Sequence, residues 1–164
     1  PEVVVLLDHS SSMEHPQGFQ GDKPLDIAWS VAMTIKQAYP NTRIYPYSTF
    51  GIYTGTIELG TVVPDIPSEG TPTPEALIWV KKRFYENLDR VNVLLISDDE
   101  QPYGTGELCA SLRGHEGMRI GVCKVGEGSR GSYQKFPADF YAEVKTRDDV
   151  SNVQEVINGI MQDV

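Results

Sequence analysis

Cysteine, positive charge and long apolar runs are all scarce in this chain, and each shortage closes off a class of function. Two cysteines, Cys109 and Cys123, among 164 residues allow one disulfide at most, so no disulfide framework carries the fold. Cys123 falls in an apolar, strand-like stretch and Cys109 in a short helical one, places where a thiol serves as a small core residue. No apolar run approaches the ~20 residues of a membrane-spanning helix, and no signal peptide is visible. Low cysteine use leads us to expect a reducing, cytoplasmic compartment. The chain opens almost directly on its first strand, which also suits a domain excised from a longer protein.

Lysine and arginine together number 14 against 23 acidic residues, for a formal net charge of -9. Nucleic acid and anionic membranes are therefore not expected partners. The excess of acid favours solubility and attracts divalent cations. The three histidines, His9, His15 and His115, show no metal-ligand spacing, and His115-Glu116 lacks the second histidine of a zinc-protease motif. No G-x-S-x-G elbow is present, so Ser10 has no sequence support as a nucleophile.

What remains is a regular alternation. Val3-Val4-Val5-Leu6-Leu7 is too short and too β-branched for a helix and reads as a central strand buried on both faces. Pro24 opens a helix with an apolar stripe at Leu25, Ala28, Val31, Ala32 and Ile35. Arg43 to Thr49 reads as a second strand, in which Pro46 argues for a bulge or irregular pairing. Ile52 to Leu59 reads as a third, returning antiparallel. A helix follows with Thr73 as N-cap, Pro74 at its first position and Ala76, Leu77, Val80 and Phe84 inward. Val91 to Ser97 is a fourth strand, Gly106 to His115 a short helix, Arg119 to Val125 and Phe140 to Lys145 the last two strands. Val153, Val156, Ile157, Ile160, Met161 and Val164 give the last helix its period. The expectation is α/β: one domain over residues 1–164, with a doubly wound, mostly parallel six-stranded sheet, one antiparallel edge strand and helices on both faces.

Asp8, Ser10 and Ser12 form a D-x-S-x-S triplet where the first strand ends. Ligands of open α/β sheets sit outside the carboxyl ends of the strands, where strand order reverses. Asp98 stands at the exit of the fourth strand, and Thr71 lies in the loop just before the helix that Thr73 caps. Two strands ending in aspartate, with a hydroxyl loop between them in sequence, can converge on one ion. All these donors are hard oxygens, which suit Mg²⁺, with Mn²⁺ or Ca²⁺ as alternatives, and disfavour zinc and copper.

The D-x-S-x-S triplet, Thr71 in its G-T-x-x-x-x-A-L stretch and Asp98 in L-I-S-D together resemble the von Willebrand factor A domain, in order and spacing over nearly the whole chain. The resemblance implies that family's metal-ion-dependent adhesion site, built from Asp8, Ser10, Ser12, Thr71 and Asp98. It also implies a protein partner that presents Asp or Glu to the ion, with no catalysis of its own. The stretch Pro74-Glu75-Ala76-Leu77-Ile78-Trp79 looks most similar to the domains of cobalt-chelatase-type subunits and their bacterial or phage relatives, which work beside AAA+ ATPases. An extracellular adhesion domain is one alternative. A Mg²⁺-dependent phosphohydrolase with Asp8 as nucleophile and Asp98-Asp99 on the metal is another, but its general acid would fall at Ser10, which cannot transfer protons near neutral pH. Gly126 to Gly131 matches G-x-G-x-x-G, yet Pro137 and a polar stretch follow instead of a helix, so a connection is expected there and no nucleotide site.

Overall fold

The computed structural model describes residues 2–15, 21–48, 51–59, 73–98, 105–126 and 138–161. Its six strands are β1 (Glu2–Asp8), β2 (Arg43–Ser48), β3 (Gly51–Ile52), β4 (Val91–Ser97), β5 (Arg119–Val125) and β6 (Phe140–Val144). The helices are α1 (Pro24–Ala38), α2 (Thr73–Arg83), α3 (Thr105–Glu116) and α4 (Val150–Met161). The strands form one sheet in the order β3-β2-β1-β4-β5-β6. All neighbours run parallel except β3, which turns back antiparallel on β2. The sheet is the doubly wound, mostly parallel one that the alternation of apolar runs and helical stripes implies.

Strand alternation sorts the core into two layers. Val3, Val5 and Leu7 of β1, with Leu94 and Ile96 of β4, pack under α1 and α4. Val4 and Leu6, with Val93 and Leu95, pack on the opposite face under α2 and α3. Both layers reach zero exposure at residues such as Leu6, Leu7, Leu94 and Leu95, which is why these strands read as continuous apolar runs. Cys109 and Cys123 are free and buried, and burial pushes their thiols up to about 11 and about 12, so both are neutral core residues.

Two local expectations need correction. Pro46 causes no bulge: β2 pairs with β1 in unbroken register, Leu7 opposite Pro46. The reason lies in which way the residue faces. The Tyr47 carbonyl points to β1 and accepts from the His9 N–H at 2.9 Å, whereas the Pro46 carbonyl points to the edge and accepts from the Tyr53 N–H at 2.8 Å. The missing proline N–H therefore falls on the sparsely paired side, where proline is tolerated. The third strand is also shorter than Ile52 to Leu59. Only Gly51 and Ile52 join the ladder, with Gly51 at φ 114°, a conformation open to glycine. Ile57 is buried without being in a strand.

Candidate functional site

The order of the sheet reverses between β1 and β4: the chain steps outward from β1 to β2 and β3, then returns to build β4, β5 and β6 on the other side. The carboxyl ends of these two neighbours carry Asp8 and Asp98. Their register, Leu7 opposite Ile96, brings the two exits side by side. Asp8 is fully buried and Asp98 is 5% exposed. Ser10, immediately after β1, is buried, and Ser12 is half-buried in the short 3-10 turn Ser11–Glu14. The two serine hydroxyls lie 3.1 Å apart. Four of the five sequence-derived site residues thus meet at one strand-end cleft; Thr71, like Asp99 and Glu100, lies outside the described residues.

Asp8 is held at both oxygens. The Ser10 backbone N–H donates to Oδ1 at 2.7 Å, and the Ser97 hydroxyl donates to Oδ2 at 2.6 Å. Such bonds favour the ionised form, yet the carboxyl is pushed up from 3.8 to about 7. Burial is the largest cause, and the charge of Asp98 adds to it. No lysine or arginine figures among the described groups that act on Asp8. A buried carboxylate that feels a second one nearby is stable as an anion only beside compensating positive charge. Hydroxyls at Ser10 and Ser12 add neutral oxygens without adding charge. That donor set fits a hard divalent cation and does not fit a soft one. Among the described residues there is no group of three or more His, Cys, Asp or Glu arranged for a metal; the set gathered here is two carboxylates and two hydroxyls.

Three supporting residues escaped the sequence argument. Ser97 fixes Asp8, and its place is deducible from alternation: it follows Val93 and Leu95 onto the face that Asp8 shares with Val4 and Leu6. Tyr47 stands opposite Asp8 in the β1–β2 register, and its hydroxyl bonds the Thr73 hydroxyl at 2.7 Å in full burial. Burial, then the charge of Asp8, raises the phenol well above its ordinary value, so it stays neutral. Thr73 therefore spends its side chain on β2, tying the start of α2 to the strand beside the site. His9 is the third: its Nε2 accepts from the Trp29 indole N–H at 3.0 Å, which docks the loop after β1 on α1. Burial pulls the His9 imidazole down to about 4, so its ring is neutral.

No family model and no curated protein matches the chain. Solved structures do resemble it. The conserved hypothetical protein BatB from Bacteroides thetaiotaomicron is 18% identical, with a TM-score of 0.67 over 98% of this chain and 99% of that one. An aerotolerance-related membrane protein from Bacteroides fragilis is 15% identical, with a TM-score of 0.67 over 97% and 98%. A von Willebrand factor type A protein from Catenulispora acidiphila is 13% identical, with a TM-score of 0.68 over 99% of this chain and 43% of that one. At such identities the likeness speaks for the fold alone. The chain has the α/β fold of the von Willebrand factor A domain.

Proposed function

We propose that this protein is a metal-dependent interaction module, in which Asp8, Ser10, Ser12, Thr71 and Asp98 hold a Mg²⁺-type ion and a partner protein completes the site with an Asp or Glu side chain. The observation that carries the proposal is the pair of buried carboxylates at adjacent strand ends, with two hydroxyls beside them and the Asp8 carboxyl pushed up to about 7. A bound divalent ion would supply the positive charge that no described lysine or arginine brings to Asp8, and with it a point of attachment for an incoming carboxylate. The chain's own part is to position. Ser97 and the Ser10 N–H orient Asp8, and the Tyr47–Thr73 bond anchors α2 two residues after Thr71 in sequence. Burial excludes water, which strengthens a charge-assisted contact and limits its screening by salt.

The phosphohydrolase alternative finds less support. Its general acid would fall at Ser10, and a serine cannot transfer protons near neutral pH. The Ser10 hydroxyl lies 3.1 Å from that of Ser12 and also acts on Asp8 as a hydrogen-bond donor, contacts that suit a neutral oxygen ligand. The narrower form of the proposal, a chelatase-like subunit beside an AAA+ ATPase in the cytoplasm, is supported by the Pro74 to Trp79 stretch alone. No helix among the described residues is long and apolar enough to cross a membrane. Calorimetric titration of Mg²⁺ into wild type and Asp8→Ala, followed by partner capture with and without EDTA, tests the whole proposal. Equal Mg²⁺ affinity in the two proteins would place the ion elsewhere, and capture that persists undiminished in EDTA would leave the interaction independent of metal.

A further inference from the structure

The opposite end of the sheet holds a cleft of about 660 Å³, between the start of β2, the end of α1 and residues 54–58. It lies about 20 Å from Asp8, six strand residues away along β1. We propose that this cleft binds the phosphoryl group of a small phosphate monoester. Three cations line it, Lys36, Arg43 and Arg83, in a chain whose net charge is -9. The Lys36 ammonium is buried and fixed by the Pro40 and Thr42 carbonyls at 2.9 and 2.8 Å. Those two bonds use two of its three protons, and the carboxylate of Glu58 stands 3.9 Å off, beyond hydrogen-bond range. Arg43 and Arg83 both lie against the Phe84 ring, 5.4 and 5.5 Å from its centroid, so one aromatic holds two guanidinium forks at the same opening.

Two further donors point to a ligand. Thr42 is 2% exposed, lines the cleft, and its hydroxyl has no hydrogen-bond partner. An unpaired buried hydroxyl is costly unless something fills its bond. Ile44 faces the cleft by its backbone: it lies two residues before Pro46 and so turns its N–H to the edge, and among the described residues β3 pairs only with Tyr47 and Ser48. Two guanidiniums, an ammonium, a hydroxyl and a backbone N–H outnumber what the two oxygens of a carboxylate can accept. A phosphate monoester offers three acceptor oxygens and a charge of roughly -1.5 to -2 near neutral pH. Glu2 stands 3.7 Å from Arg43 in an exposed ion pair, which a dianion can replace. The volume also fits a whole small molecule, since ligand pockets run from roughly 300 to 1,000 Å³.

The test titrates inorganic phosphate and, separately, adenosine 5′-monophosphate into wild type, Arg83→Gln, Thr42→Val and Lys82→Gln, with calorimetric readout. Lys82 is exposed and outside the cleft, so its variant matches the charge loss without touching the site. Saturable binding by wild type is expected, roughly tenfold weaker in Arg83→Gln and weakened also in Thr42→Val, with Lys82→Gln unchanged. Removing the Thr42 hydroxyl leaves no buried partner behind, so that variant should fold as wild type does; should it not fold, Arg83→Gln against Lys82→Gln decides alone. Tighter binding of the nucleotide than of phosphate assigns the cleft to an organic monoester, and equal binding assigns it to the phosphoryl group itself. Absence of saturable binding at about 10 mM ligand, or equal losses in Arg83→Gln and Lys82→Gln, overturns the proposal.

Discussion

Replacing Asp8 by asparagine should make the metal-free protein more stable, although it removes a side chain at the centre of the proposed site. The carboxyl titrates at 3.8 in an unperturbed chain and at about 7 in the folded protein. The folded state therefore binds the proton more tightly than the unfolded state does. The stability that goes with protonated Asp8 is fully present below about pH 4 and is lost as pH rises to about 7. A gap of about three pH units corresponds to roughly 4 kcal/mol, at about 1.4 kcal/mol for each. Asparagine keeps the shape and the neutrality of the protonated acid. Its carbonyl oxygen can accept from the Ser10 N–H, and the Ser97 hydroxyl, which now donates to Oδ2, can rotate to accept from the amide.

Urea denaturation in EDTA, from pH 4 to pH 8, measures this directly. At pH 8 Asp8→Asn should exceed wild type by about 2–4 kcal/mol, and the difference should vanish toward pH 4. Comparison with the variant is necessary because His9 works against Asp8 over much of the same range. Its ring is held near pKa 4 in the fold against 6.5 outside it, so it adds stability above 6.5 that is lost as pH falls through 4. The wild-type curve alone would show only the residue of two opposed slopes. Excess Mg²⁺ should then reverse the ranking. An ion at a thousand times its Kd adds about 4.1 kcal/mol to the protein that binds it, and the asparagine variant should gain far less. An Asp8→Asn protein no more stable than wild type at pH 8 in EDTA would refute the argument that an uncompensated carboxylate strains this cleft.

Other consequences are simpler to state. Asp98→Ala should abolish Mg²⁺ and Mn²⁺ binding by calorimetry while circular dichroism shows the fold intact; retained binding would remove Asp98 from the site. Thr71→Ala should weaken partner capture more than metal affinity, because both carboxylates remain, and a variant that captures partner as wild type does would leave Thr71 without a role. Tyr47→Phe strands the Thr73 hydroxyl in the core and should cost about 1–3 kcal/mol in urea; an unchanged midpoint would mean the bond contributes nothing. Trp29→Phe deprives the buried His9 Nε2 of its donor and should destabilise the protein by a similar amount, about 1–3 kcal/mol, read most simply at about pH 8, where the ring is uncharged in both states.

The fold was legible wherever burial is two-sided. Val3 to Leu7 and Val93 to Ile96 are apolar at successive positions because helices cover both faces of the sheet, and that leaves a pattern no amphipathic helix produces. Arg119–Val125 carries the same signal and occupies the range its sequence indicates. Legibility failed at the edge. Residues 52–59 contain β-branched and aromatic side chains at strand-like spacing, but only Gly51 and Ile52 pair with β2. Propensity favours an extended chain there without fixing whether a partner strand lies alongside. Pro46 misled for a related reason: its cost depends on which neighbour its nitrogen faces, and that is a property of register.

The site divides along the same line. Asp8, Ser10 and Ser12 stand out in sequence only together with Thr71 and Asp98, since a carboxylate and two hydroxyls at a strand exit also suit a capped turn. Ser97, Tyr47 and Thr73 are ordinary residues whose role exists only through pairing across strands, Tyr47 opposite Asp8 and Ser97 within reach of its carboxyl. They nevertheless decide what the site can do. An Asp8 free to rotate could turn toward solvent and escape the repulsion of Asp98. Bound at both oxygens, it has to remain in the cleft, and the cost of its charge must be met by protonation or by a cation. The supporting hydrogen bonds thus fix Asp8 as the group whose charge the proposed ion would offset. That coupling predicts a specific asymmetry: Ser97→Ala, by releasing one oxygen of Asp8, should lower metal affinity even though it removes no proposed ligand.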